Sequence, residues 1–275
     1  MTAGFALGAV LLAGCDSVSG IPGDEPAPAR TEALTTPSAA VPTPPPTTTL
    51  APPPADAPPV GAVPGLPAAA TAVQRWVVDL QHDSLTELQT KCWTMAPGNV
   101  ADMYANKQAI LTALAQPGTA TDDTVTWKSR ATTVTVERDA LASGYACPRV
   151  FAAGAAVGYN DADARHTVRR YLARFVGTPL DSADKEGDYP LTCKASPANW
   201  DPKGTGAPTA APLAGNPGKL TGVTKFAGQE ISSDRLDTDY VTVEVPVTNS
   251  SGVTQTRTFT LTEGPEGFCI GDVSP

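Results

Sequence analysis

Tyr240-Val241-Thr242-Val243-Glu244-Val245-Pro246-Val247 alternates with an unbroken period of two. Val241, Val243, Val245 and Val247 share one parity, and Tyr240, Thr242, Glu244 and Pro246 share the other. Such a stretch is a strand with one face on a core and one toward water, the habit of antiparallel sheets. The chain beyond it is punctuated by turns. Asn249-Ser250-Ser251-Gly252 leads into a second strand over residues 253–261, and Gly264-Pro265-Glu266-Gly267 into a third over residues 267–273. A further strand is expected over residues 220–226, running on toward Ile231. Pro246 has no N–H to donate, so it belongs at a sheet edge or a bulge.

Upstream of this sheet, Val168, Tyr171, Leu172, Phe175 and Val176 recur at helical spacing over residues 164–176, and Gly177-Thr178-Pro179 stops them. Asn160-Asp161-Ala162-Asp163 just before resembles a calcium loop in its acids, yet it lacks the glycine and distal glutamate of one and reads as a helix cap. Arg165, Arg169, Arg170 and Arg174 on the same helix read as a solvated face. A boundary therefore falls near Gly158-Tyr159, giving a first α+β domain over residues 68–157 and a second over residues 158–275.

In the first half, Val73, Trp76, Val77 and Leu80 mark one helix, and Ser84 with Glu87 forms a capping box for another that reaches Cys92-Trp93. Val100, Met103, Tyr104, Lys107, Ile110, Leu111 and Leu114 mark a third helix, ended by Pro117-Gly118. Strands are expected over 124–128, 132–137 and 145–152, and a loose Pro, Gly and Ala loop between Cys193 and Lys219. Val73-Gln74-Arg75-Trp76-Val77 and Val168-Arg169-Arg170-Tyr171-Leu172 occupy equivalent places in the two halves, which suggests an internal duplication.

The N-terminal quarter is of another kind. Phe5 to Leu12 is apolar, and Ala13-Gly14-Cys15 comes directly after it; the run is too short to span a bilayer and resembles a bacterial lipobox. That resemblance implies a signal segment over residues 1–15 and a lipid anchor, diacylglycerol with palmitate, on Cys15. The apolar run begins almost at Met1 without a Lys or Arg ahead of it, as expected if the translation start lay upstream. Fourteen of the 28 prolines lie between Asp16 and Leu66, in sequence that is otherwise mostly Ala, Thr and Ser. Residues 16–67 are therefore expected to be a disordered stalk, reaching on the order of 150 Å if extended as polyproline II.

A net charge of -9 and a pI near 4.7, with no basic patch in the sequence, argue against nucleic acid as a partner. The five cysteines leave four once Cys15 is set aside, and an even number in an extracytoplasmic chain suggests disulfides. Cys92, Cys147, Cys193 and Cys269 allow three pairings. Joining nearest partners, Cys92 with Cys147 and Cys193 with Cys269, keeps each bridge inside one half; any other pairing ties the halves together. No CxxC-type spacing with flanking histidines occurs, so no metal is expected.

Helix, polar segment, cysteine and a long hairpin closing on Gly267-Phe268-Cys269-Ile270 resemble the NTF2-like domains of actinobacterial cell-envelope lipoproteins. The resemblance covers residues 161–273 and, more loosely, 68–152. It implies an α+β fold of one or two NTF2-like (cystatin-like) units, helices packed on a bent antiparallel sheet. It also implies a conical pocket inside the sheet. No nucleophile elbow, zinc-protease, Walker or dinucleotide pattern is present, and no catalytic residue or cofactor is assigned. His82 and His166 read as surface or capping residues, and Asp237, Asp239 and Glu244 as water-facing acids. The expectation is a non-enzymatic lipoprotein on the outer face of the cell membrane that binds a hydrophobic small molecule or an envelope protein. Two alternatives stand beside it: an NTF2-like enzyme using a carboxylate base on a small apolar molecule, and a purely structural envelope module.

Overall fold

A computed structural model describes residues 52–156, 158–237 and 239–274. The signal segment, Cys15 and the stalk up to residue 51 lie outside the described residues.

Helix α1 (Pro67–His82) begins on a proline, whose fixed φ suits the first helical position. Its stripe of Ala69, Ala72, Val73, Trp76, Val77 and Leu80 is buried. Helix α2 (Leu85–Lys91) carries the expected capping box: Ser84 Oγ accepts from Glu87 N, and Glu87 accepts from Ser84 N at 2.8 Å. The single helix expected after it is two. Helix α3 (Pro97–Met103) stops at Tyr104, and helix α4 (Lys107–Leu114) restarts because the Asn106 side chain accepts from Ala109 N, pulling the backbone out of the helix between them.

Strands β1 (Thr119–Ala120), β2 (Thr124–Lys128), β3 (Thr132–Glu137) and β4 (Arg149–Ala152) form an antiparallel sheet in chain order. Val125 pairs with Val136 and Trp127 with Val134, and all four enter the first core beside Trp76, Leu80, Ile110 and Leu114. The stalk expected over residues 16–67 ends earlier than its composition suggests, because Val60, Val63 and Leu66 pack on this core before the helical sequence begins. Val63 is buried, Gly61 N donates to Leu114 O at 2.7 Å, and Trp127 Nε1 donates to Gly61 O at 2.9 Å.

Helix α5 (Asp161–Phe175) is capped by Asn160, whose side chain accepts from Ala162 N and Asp163 N, so the acidic run is a cap, as its sequence implies. Ala164, Val168 and Leu172 bury its apolar face in a second core. The stretch from Cys193 to Lys219 is not loose. Trp200, Ala211 and Leu213 are buried there, a short helix α6 (Pro212–Gly215) forms, and Trp200 bridges to Thr209.

The second sheet is antiparallel and curled. Strands β5 (Val223–Phe226) and β6 (Ser232–Arg235) both pair with β7 (Tyr240–Asn249), which pairs with β8 (Thr254–Gly264) and that with β9 (Gly267–Ser274). A register shift between Thr260 and Leu261 bends the β8–β9 ladder. Pro246 sits in a central strand, not at an edge. Its carbonyl accepts from Ala227 N, and its nitrogen faces the same side, at the break where β5 ends and β6 begins, so no ladder bond is lost.

Cys92 is joined to Cys147, and Cys193 to Cys269. These bridges span 55 and 76 residues, each constraining the unfolded chain by about 4 kcal/mol in the loop-entropy model. The first ties the end of α2 to the approach to β4. The second ties the segment after α5 to β9, where Ile270 N donates to Leu191 O at 2.8 Å and Cys193 N to Ile270 O at 3.0 Å. The described residues form one compact unit with two large apolar cores and a smaller cluster of Cys193, Trp200, Ala211 and Tyr240.

Candidate functional site

A bent sheet holds a ligand only if its concave face is open. Here that face is filled. Val241, Val243, Val245, Phe259, Leu261 and Ile270 are each fully buried, packed against Ala164, Val168 and Leu172 of α5 and against Leu213 and Leu220. The acids expected to face water do so: Asp237, Asp239 and Glu244 are exposed, and Asp237 uses its carboxylate to accept from Asp239 N and Tyr240 N in the turn before β7.

The concavity lies elsewhere, between the halves. A cleft of about 950 Å³ has the outer face of the first sheet as one wall, with Thr124, Thr135, Glu137 and Arg149, and the β8–β9 turn as another, with Glu263, Pro265 and Glu266. The register builds the first wall. Thr135 pairs with Arg149 and Thr124 with Glu137, and these side chains fall on the parity opposite the core valines Val134 and Val136.

At the floor, Tyr159 donates its hydroxyl to Glu137, and the Arg149 guanidinium lies 4.3 Å from the Tyr159 ring centroid. Arg149 also donates to both carboxylate oxygens of Asp163, at 3.2 and 2.8 Å. Burial raises the Glu137 carboxyl above its ordinary range, with Glu266 and Asp139 adding to the effect, while Tyr159 and Arg149 oppose it. Burial and the Glu137 charge raise the Tyr159 phenol likewise. Tyr159 is positioned by its neighbour in the turn: Gly267 has φ +112°, and a Cβ there would meet the Tyr159 ring at 3.2 Å.

The polar face of α5 closes the cleft from below, and here two expectations from the sequence are corrected. The arginine face is not solvated. Arg170 is 7% exposed, lies 4.9 Å over the Trp93 ring and donates to Asp184 at 2.8 and 3.3 Å; Arg174 donates to the same carboxylate and to Glu186. Arg165 reaches Ser233 Oγ and Arg169 the Gly228 carbonyl. Asp184, whose side chain is wholly buried, is the counter-ion that lets Arg170 and Arg174 leave water. Nor is His166 a surface residue: it is 4% exposed, and its Nε2 lies 2.8 Å from the Trp93 carbonyl, which requires Nε2 to carry the proton. Burial lowers its pKa to about 4, so the ring is neutral near pH 7. His82 is exposed at the end of α1, as expected.

Comparison with protein-family models, curated proteins and solved structures finds no match.

The cleft lining is polar and partly buried, with aromatic faces from Tyr159, Phe268 and Tyr189. Among the described residues no group of three His, Cys, Asp or Glu side chains converges as a metal-ligand set. Cys92, Cys147, Cys193 and Cys269 are all held in disulfides. The residues that make the cleft, Glu137, Arg149 and Tyr159, do not stand out in the sequence. Glu137 closes a Thr-Val strand whose threonines Thr133 and Thr135 are buried as well, and only the structure shows that both faces of that strand are covered.

Proposed function

We propose that this chain is a non-enzymatic extracytoplasmic lipoprotein, anchored through lipid on Cys15 and held off the membrane by its proline-rich stalk. Its folded body is a binding module, with an NTF2-like arrangement of α5 and the curled sheet in the second half. The cleft between the halves, rather than the inside of the sheet, takes the ligand or partner. The observation that carries this reading is the packed concave face: Phe259, Leu261 and Ile270 fill the space in which a conical pocket would lie, while an open cleft of about 950 Å³ stands beside it. Clefts of this size with a few convergent polar groups are where ligands are normally held.

Two measurements test it. Cys15→Ser should shift the full-length protein from the membrane fraction to the medium, and an unchanged membrane fraction would remove the anchor. Native mass spectrometry of the protein extracted from its host should show a bound molecule or partner, lost when the cleft is filled from its exposed rim by Asp139→Trp and Asp188→Trp. Retention of the bound species in that variant would mean that the cleft is not the binding site.

A further inference from the structure

We infer that the cleft is built to receive the basic side chains of a protein partner, an inference that rests on the cleft being the binding site. The charges that line it decide this. Arg149 is paired with Asp163, and Arg170 and Arg174 with Asp184 and Glu186, so the positive charges of these arginines are already balanced by carboxylates inside the protein. What remains on the walls is Glu137, Asp139, Asp188, Glu263 and Glu266 against Lys194. Concave walls of one sign focus their field into the opening and raise the local concentration of the opposite charge.

Glu137 is the anchor point. One of its oxygens accepts from Tyr159, and the carboxylate stands partly buried with Glu266 and Asp139 as like-charged neighbours. A carboxylate in that setting gains from a cation placed against it, since a desolvated ammonium or guanidinium pairs with it more strongly than one in water. The Pro265 and Phe268 side of the cleft offers apolar surface for the aliphatic stem of a lysine or arginine. The acids belong to three separate segments, at residues 137–139, 188 and 263–266, and both halves contribute. A single nitrogen satisfies one of them; several cations strung along one chain satisfy the set. This favours a basic polypeptide segment over a simple amine.

The test uses the full-length protein in detergent and a fluorescein-labelled peptide of alternating Arg, Lys, Gly and Ser, followed by anisotropy. Binding is expected, falling steeply as salt is raised. Glu137→Gln keeps an acceptor for Tyr159 and should weaken the peptide on the order of tenfold. Glu263→Gln with Glu266→Gln changes only exposed side chains and should weaken it comparably, which guards against misfolding as the cause. Equal binding of a peptide with Glu in place of Arg and Lys, or indifference to both sets of variants, would overturn the inference. Spermidine displacing the peptide at the same concentration of positive charge would assign the cleft to small polyamines instead and overturn the partner reading. If the species carried from the host is lost on filling the cleft but retained in Glu263→Gln with Glu266→Gln, the cleft remains the binding site and only its preference for cations fails.

Discussion

Asn99 of the first half and Asn160 of the second exchange side-chain hydrogen bonds, Asn99 Nδ2 to Asn160 Oδ1 at 3.0 Å and Asn160 Nδ2 to Asn99 Oδ1 at 3.1 Å. Asn160 is also the N-cap of α5, so one residue starts the helix and holds it against the other core. Asn160→Ala should lose both functions and cost about 2 kcal/mol, while Asn99→Ala, which leaves the cap intact, should cost about 1 kcal/mol. Because this pair lies between the cores, the loss should appear in one shared denaturation transition. Tryptophan fluorescence, which reads Trp76 and Trp127 in the first core and Trp200 beside the second, checks this: separate transitions would show the halves to be uncoupled.

His166 sets a pH dependence. Its folded pKa of about 4 lies below the ordinary 6.5, so the unfolded chain binds the extra proton first. Stability should therefore fall as pH drops from 6.5 toward 4, by on the order of 3 kcal/mol from this residue. Glu137 acts in the opposite sense, since its raised folded pKa makes its buried charge a cost that grows as pH rises past 4.5. Urea titrations of the wild type and of His166→Gln between pH 7 and 4 separate the two. The variant should lose the part of the slope that destabilises at low pH, and an unchanged slope would mean that His166 does not titrate on unfolding.

Arg170 and Asp184 form the most buried ion pair on α5, with side-chain exposures of 8% and 0%. Arg170→Ala would leave the carboxylate with Arg174 alone and strip the cation from the face of Trp93. A cost of about 3 kcal/mol is expected. Asp184→Asn should cost a similar amount, because Arg170 then loses its counter-charge and Arg174 keeps only Glu186; thermal melts of both variants decide it.

Gly271 on β9 lies under the Trp200 ring, where an added Cβ would come within 2.1 Å of Cζ3. Gly271→Ala must push Trp200 out of its buried seat and break its edge contact with Tyr240, at 5.1 Å between centroids. The expected loss is about 2 kcal/mol with a red shift in tryptophan emission. Gly98, with nothing near its Cβ position, is the control: Gly98→Ala should leave stability and emission unchanged or slightly improved.

Local pattern carried much of this fold into the sequence. The alternation in residues 240–247, the capping box of Ser84 and Glu87, the Asn160 cap and the two hairpin turns each appear where the pattern puts them, because each is decided by residues a few positions apart. The bridge from Cys92 to Cys147 and that from Cys193 to Cys269 match the nearest-neighbour choice, one of three that spacing left open. Beyond the reach of local pattern lay everything set by distant partners. Arg170 and His166 look like surface residues on a helical wheel, and only Asp184 and the Trp93 carbonyl, brought up from elsewhere, allow them to be buried. Pro246 reads from the sequence as an edge or bulge residue, and only the sheet shows that it sits in a central strand beside the break between β5 and β6. The cleft is the extreme case: Glu137, Arg149 and Tyr159 become neighbours only when a strand register, a sheet pairing and the β8–β9 turn meet, and a charge's cost in leaving water depends on who is waiting for it there.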